Sequence, residues 1–361
     1  MNTGNICLEA KEPRDGGEAR QLRYASGHAT SRRVCLPELA LPPSATMQAS
    51  LNHELDLSSL KENGKGALAR ALARIERQPD SAEVVALLDA AWRAPRGLVW
   101  GITGPPGVGK STLVGALIRR LRTRGLRVAV IAVDPSSKRS GGALLGDRIR
   151  LLADPQDPDL FVRSMAARDR LGGLAALTWS AAILMRALFD RVIVETVGVG
   201  QSETDVAGLA DSVVFCVQPG SGDSLQFMKA GIMEIPHVAA VTKADSGTPA
   251  RRALKDLRAA VSLVEAEEGW EVRCLSCSAT SGSGLEELEA ALDAHAAWMK
   301  MEGLIEARRC RQAAEWVTAS LLDDYGRLGL ARLEGREEVH DKDHPFSSRR
   351  RLRQSIETSF S

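Results

Sequence analysis

Residues 98–112 read LVWGITGPPGVGKST, an apolar run that enters a glycine-rich turn and leaves it through Lys-Ser-Thr. A G-x-x-x-x-G-K-[ST] match is meaningful when a strand delivers the turn and a helix opens from it, and both patterns flank this one. Its glycines let successive backbone N–H groups curl around an anion, and the helix N-terminus adds its dipole. Gly104, Pro105, Pro106, Gly107, Val108 and Gly109 are therefore expected to wrap phosphates. Lys110 would reach the β and γ phosphates, Ser111 would ligate Mg²⁺ and Thr112 would touch the α phosphate. The bland alternative is a glycine-rich turn carrying an exposed lysine, which the flanking patterns disfavour.

Between 98 and 280 the runs LVWGIT, RVAVIAV, LFVR, RVIVET, SVVFCV, HVAAVT and EVRCLS alternate with helical segments. Runs apolar throughout, with helices between them, imply a mostly parallel sheet covered on both faces. The fold expected is an α/β P-loop NTPase, its ligands lying at the carboxyl ends of the strands. That domain is assigned to residues 97–284. A helical segment, 55–96, precedes it: Leu68, Ala71, Leu72 and Ile75 share a face, and Ser81 is placed to cap the next helix. A second helical segment, 285–335, follows, with Leu285, Leu288, Leu292, Trp298, Trp316 and Leu321 as buried candidates. Residues 1–54 read as a disordered extension and 336–361 as a polar basic tail whose Arg349–Arg351 cluster is solvated.

With 47 Lys and Arg against 46 Asp and Glu, no overall field selects nucleic acid or an acidic membrane. The longest apolar stretch, AALTWSAAILMRALF, is shorter than a membrane span and contains Arg186. Six scattered cysteines suit reduced thiols in the cytoplasm. Cys274 and Cys277 form a single C-x-x-C, which does not complete a tetrahedral metal site. Trp270, Trp298 and Trp316 read as core or interface anchors.

A bound Mg²⁺ needs further oxygen ligands, and acids at strand ends supply them. Asp134, Asp147 and Glu195 qualify, and Gly198 follows Glu195 at a spacing that lets a backbone N–H sense a γ phosphate. Gln201, just beyond, is a candidate for positioning water. The tetrapeptide Thr242-Lys243-Ala244-Asp245 parallels the Asn-Lys-x-Asp that reads guanine: the acid accepts from N1–H and the 2-amino group, and the lysine lies along the base. Adenine lacks those donors and would leave the acid unpaired. Thr242 replaces the amide that ordinarily bonds N7 and braces the phosphate loop, so that brace is expected to be lost. Ser278-Ala279 matches the element that holds guanine O6. GTP and GDP are the ligands expected.

The strings AVDPSSKRSGGALLGDRIRL, MAARDRLGGLA, VIVETVGVGQSETDVA and GSGDSLQFMKAGIMEI together resemble the MeaB/ArgK family of P-loop GTPases, which includes the methylmalonic aciduria type A protein. The resemblance runs from about Lys61 to Tyr325. It implies a slow GTPase that gates cofactor loading and protection of an adenosylcobalamin-dependent acyl-CoA mutase of the methylmalonyl-CoA type. It also implies a homodimer built through C-terminal helices. On the same ground Asp134, Asp147 and Glu195 are magnesium-site acids, and Gln226 and Lys229 couple partner binding to hydrolysis. The chain departs from the family at Thr242, at Ser224, Phe227 and Ala230 of that coupling loop, and at its polar basic end.

Three rival readings stand beside this one. A nickel-delivering metallochaperone GTPase would need a Cys/His cluster near the switch loops. A small-molecule kinase would use the same phosphate loop, with Asp245 and Ser278-Ala279 arguing against it. A nucleotide-dependent scaffold would bind without turnover.

Overall fold

The computed structural model describes residues 55–135, 154, 156–167, 176–196, 205–220, 235–263, 269–333, 342 and 344–360. Three helices lead: α1 (Leu57–Glu62), α2 (Gly64–Arg77) and α3 (Ala82–Arg93). Ser81 accepts from the Val84 N–H and starts α3, as its position suggests. The chain then alternates: β1 (Leu98–Thr103), α4 (Lys110–Thr123), β2 (Val128–Pro135), β3 (Leu160–Ala167), α5 (Ala176–Leu188), β4 (Arg191–Glu195), β5 (Ser212–Val217), β6 (Val238–Val241), α6 (Thr248–Val261) and β7 (Arg273–Ser276). Helices α7 (Leu285–Met301), α8 (Leu304–Ala331) and α9 (Pro345–Phe360) complete it. Among the described residues no helix is long and apolar enough to cross a membrane.

The seven strands form one sheet in the order β3-β2-β4-β1-β5-β6-β7, with every pairing parallel. Each apolar run of the sequence became one of them. Their alternation divides the core into two layers. Val99, Ile131, Val192, Val194 and Val213 face a cluster with α2, α3 and α5. Trp100, Ile102, Val130, Ile193 and Val214 face the opposite cluster with α4 and α7. Strand β1 lies between β4 and β5, and the turn after it opens at the centre of the carboxyl edge.

The expectation of a solvated C-terminal tail is overturned. Residues 345–360 form α9, which buries Phe346, Leu352 and Ile356 in the first of those layers. The apolar period was hidden because the same face carries Arg349. That arginine is only 8% exposed, bonds Asp80 and Asp324 at 2.5 and 2.8 Å, and lies over the Trp316 ring. A paired guanidinium thus fills a place where sequence patterning expects a hydrophobe. Trp316 stacks on Trp179 at 4.3 Å and meets Phe346 at 4.9 Å. Of the other buried candidates in 285–335, Leu285, Leu288, Leu292 and Leu321 are core, while Trp298 is half-buried.

Asp89 of α3 caps α9 from outside: it accepts from the N–H groups of Phe346 and Ser347 at 3.0 and 3.1 Å and from the Ser347 hydroxyl at 2.5 Å. Burial pushes its carboxyl above the usual range even though those donors oppose the shift. Asp89→Ala removes an N-terminal cap worth about 1–2 kcal/mol, so thermal unfolding should move down by about 2–5 °C. An unchanged midpoint would show that α9 does not depend on this cap.

Candidate functional site

The turn after β1 is shaped by contact as much as by dihedral angle. Gly104, Gly107 and Gly109 all have positive φ, at 135°, 78° and 97°. A Cβ on Gly104 would sit 2.2 Å from the Cys216 carbonyl oxygen of β5, whereas one on Gly107 would meet nothing within 4 Å. The turn therefore lies against its neighbouring strand, and the next residues start α4. Lys110, 5% exposed, donates from Nζ to the Gly104 and Pro105 carbonyls at 2.5 and 2.9 Å. The ammonium sits within the curl of its own loop.

Ser111 donates to Glu195 Oε1 at 2.7 Å, joining the first turn of α4 to the end of β4. Glu195 is 1% exposed. Beside it Thr196 donates to the Thr103 hydroxyl at 3.0 Å. A hydroxyl and a carboxylate at this distance, next to a turn of anion-binding shape, fit Mg²⁺: that ion takes one or two protein oxygens and completes its octahedron with phosphate oxygens and water. Asp134 lies in β2, but its side chain is outside the described residues, as are Asp147, Gly198, Gln201, Gln226 and Lys229 altogether. Asp205, where the described chain resumes, is half-buried, and burial pushes its carboxyl up to about 6.

The polar tetrapeptide after β6 forms a second corner. Thr242 Oγ1 donates to the Val108 carbonyl at 2.6 Å, with the Val217 carbonyl at 3.0 Å. The loss of bracing expected from replacing an amide is therefore corrected: a buried threonine hydroxyl is short, but its position at the strand end puts the loop carbonyl within reach. Lys243 is the one non-glycine at positive φ among the described residues, at 54°. Its Nζ donates to the Gly107 carbonyl at 3.0 Å and to Gln218 Oε1. Such a backbone costs about 1 kcal/mol and persists where surrounding bonds fix it.

Asp245 accepts from the Ser278 hydroxyl at 2.5 Å, and that bond, before its own backbone N–H and the Lys243 charge, holds the exposed carboxyl below the usual range. The Ala244 N–H donates to the Cys277 carbonyl at 3.1 Å, so the loops after β6 and β7 are joined. Ala279 follows on the half-buried rim. Gly284 lets the second loop close, since a Cβ there would lie 2.1 Å from the Ser276 carbonyl oxygen. Burial pushes the Cys277 thiol up to about 12 and raises Cys274 as well. Neither thiol favours the thiolate form that metals and electrophiles require.

The structure thus brings Gly104 to Ser111, Glu195, Thr242, Lys243, Asp245 and Ser278 to one carboxyl edge. Gln218 belongs to this edge too and escaped the sequence reading, because a glutamine after a strand carries no spacing signal. Its position directly after β5, beside the tetrapeptide strand, was the available clue.

Residues 68–328 match the family described as "Methylmalonyl Co-A mutase-associated GTPase MeaB". A Pyrococcus horikoshii protein assigned as a GTPase is 41% identical over 261 residues, covering 71% of this chain and 81% of its own length. The mouse mitochondrial methylmalonic aciduria type A homolog is 37% identical over 221 residues, 60% of this chain and 53% of that one. Among solved structures, a LAO/AO transport system kinase superposes with a TM-score of 0.58 at 27% identity, covering 88% of this chain and 100% of the other.

The contrast between two loop glycines yields a test. Gly104→Ala drives a methyl group into the Cys216 carbonyl, and Gly107→Ala meets only the cost of its φ, about 1–2 kcal/mol. In thermal melts Gly104→Ala should be the more damaging by several degrees. Equal loss would mean that the loop does not rest on β5.

Proposed function

The chain belongs to the methylmalonyl-CoA mutase-associated GTPase family, and on that premise we propose that it is a Mg²⁺-dependent, nucleotide-gated chaperone for an adenosylcobalamin-dependent acyl-CoA mutase. Its coarser activity follows from membership: it binds guanine nucleotide and hydrolyses GTP to GDP and phosphate. The observation that carries the reading is the bridge from Lys243 to the Gly107 carbonyl, with Asp245 held by Ser278, because it couples a guanine-reading corner to a phosphate cradle.

In this reading the nucleotide displaces bonds the protein makes to itself. Lys110 exchanges the Gly104 and Pro105 carbonyls for β and γ phosphate oxygens, gaining charge-assisted hydrogen bonds. The N–H groups of the turn donate to the same phosphates, and Thr112 reaches the α phosphate. Ser111, with Glu195, Asp134 and Asp147 as direct or water-mediated partners, would hold Mg²⁺, which would supply positive charge against the β and γ phosphates. To do so Ser111 would give up the bond its hydroxyl now donates to Glu195. Gly198 senses the γ phosphate and Gln201 orients the attacking water. Catalysis then rests on positioning and charge neutralisation rather than on a covalent intermediate.

Asp245 accepts from guanine N1–H and the 2-amino group, the alkyl part of Lys243 covers the base face, and Ala279 presents its N–H toward O6. Adenine would leave the Asp245 carboxylate without those donors. Gln226 and Lys229 are proposed to link a bound mutase to hydrolysis, and a homodimer through the C-terminal helices and a cytoplasmic location complete the reading.

Calorimetric titration with GTP, GDP and ATP in Mg²⁺ tests the base assignment. Guanine nucleotides should bind at least about a hundredfold more tightly than ATP, and equal affinities would sink it. Lys110→Ala should abolish GTP binding or turnover. Lys229→Ala should spare binding but remove the stimulation of turnover by added mutase, and equal loss of both would count against the coupling role. Thr242 engages carbonyls of Val108 and Val217, leaving its one proton no part in reading N7. Hence 7-deaza-GTP should bind within about threefold of GTP, and Thr242→Asn should open a preference for GTP of about five- to tenfold.

A further inference from the structure

The amino edge of the sheet, opposite the nucleotide corner, carries a polar cluster that GTP hydrolysis does not use. Asp211, 1% exposed just before β5, takes Nε and Nη2 of Arg309 at 2.7 and 3.0 Å and the Val99 N–H at 2.8 Å. Arg186, also 1% exposed, lies over the Trp92 ring, and its Nε has no hydrogen-bond partner among the described residues. Its charge acts on the same Asp211 and is opposed by that of Arg309; burial first, and then Arg309, push its pKa down to about 9. The buried acids of the described chain are Asp89, Glu195, Asp211 and Glu289, and Asp211 alone faces this pair. Two buried guanidiniums therefore share one carboxylate. An uncompensated buried charge is costly and calls for a counter-ion.

A cleft of about 430 Å³ opens directly above Arg309. It runs between the starts of β1 and β4 and the corner where α7 meets α8, and Arg96, Arg191, Lys300 and Arg309 line it together with Asp293 and Glu306. Arg191 neutralises Asp293 at 2.7 Å, and Arg96 bonds Asp190 at 2.8 Å. Glu306 and Lys300 are both exposed and both line the cleft. Arg309 donates Nε and Nη2 to Asp211, and Nη2 also to the Gly97 carbonyl at 3.3 Å, while forming part of the cleft wall. Leu98 and Ile305 supply apolar wall. The volume lies within the range of small-molecule sites, about 300–1,000 Å³, which combine apolar walls with a few convergent polar groups.

We propose that this cleft is a second ligand site, separate from the nucleotide site, which takes a compact oxyanion (the carboxylate or phosphate group of a small molecule) onto Arg309 and Lys300. Arginine forks match both anions in geometry, and an anion there supplies the negative charge that the Arg186 and Arg309 pair lacks. The site does not depend on the mutase reading.

The test uses the full chain saturated with Mg²⁺ and a non-hydrolysable GTP analogue, so that the phosphate cradle is occupied. Inorganic phosphate and succinate are titrated separately at fixed ionic strength while thermal unfolding is followed. At least one should raise the midpoint saturably by about 3 °C or more, and which one does so distinguishes the phosphate from the carboxylate source. Lys300→Glu, an exposed change remote from the nucleotide, should weaken that response at least about tenfold without altering affinity for the analogue. Arg309→Ala strands Asp211 and is not needed for the decision. Absence of a saturable rise with either anion, or an undiminished response in Lys300→Glu, overturns the proposal.

Discussion

A buried ammonium sets the terms for the carboxyl edge. Lys110 is enclosed by the turn that precedes it, and a charge so enclosed must be met by oxygen. Carbonyls of Gly104 and Pro105 meet it only if the backbone curls around the side chain, which needs positive φ at three glycines. The curl needs support from outside, and it receives this from β5 through the Gly104 to Cys216 approach and from β6 through the Thr242 hydroxyl on Val108. The parallel order that places β1 between β4 and β5 is thus what makes a phosphate-shaped turn stable beside Glu195. The loop arrives at its ligand with its hydrogen bonds already made, ready to be exchanged rather than formed anew.

The two ends of the sheet solve charge differently. At the carboxyl edge the Lys110 ammonium is met by backbone carbonyl oxygens, an arrangement in which phosphate can replace neutral partners. At the amino edge guanidiniums are held by Asp190, Asp211 and Asp293 in a chain of ion pairs that ties β1 and β4 to α7 and α8. The helical segment after the GTPase core is therefore fastened to the sheet by charge as well as by apolar contact.

Much of this was legible in the sequence, because strands buried on both faces must be apolar throughout. The runs around Trp100, Val130, Ile193, Val214 and Ala240 announced themselves, as did the glycine-rich turn. The corner at the ends of β6 and β7 was legible through Lys243, Asp245 and Ser278, which follow apolar strands and which the structure brings together, Ser278 bonding Asp245 and Lys243 bonding the Gly107 carbonyl. What failed to show had local reasons. Helix α9 was read as a solvated tail because Arg349 occupies a core position with acids from distant helices as partners. The Thr242 brace depends on a distance between two loops that residue type does not encode. Arg186, Asp211 and Arg309 lie too far apart in sequence for any motif to join them.

The aromatic cluster under α9 has a consequence for how the chain is made. Trp92 and Trp179 meet partners from far along the sequence: Trp92 donates to the Lys342 carbonyl, 250 residues onward, and Trp179 stacks on Trp316 and meets Phe346 at a tilt. At about 5–20 residues per second, a ribosome needs on the order of 10–50 s to cover that interval. Throughout it the nascent sheet can fold while a tryptophan-lined face stays wet, which invites chaperone capture or mispairing with a neighbouring chain. Emergence of α9, sixteen residues long, covers that face and closes the window.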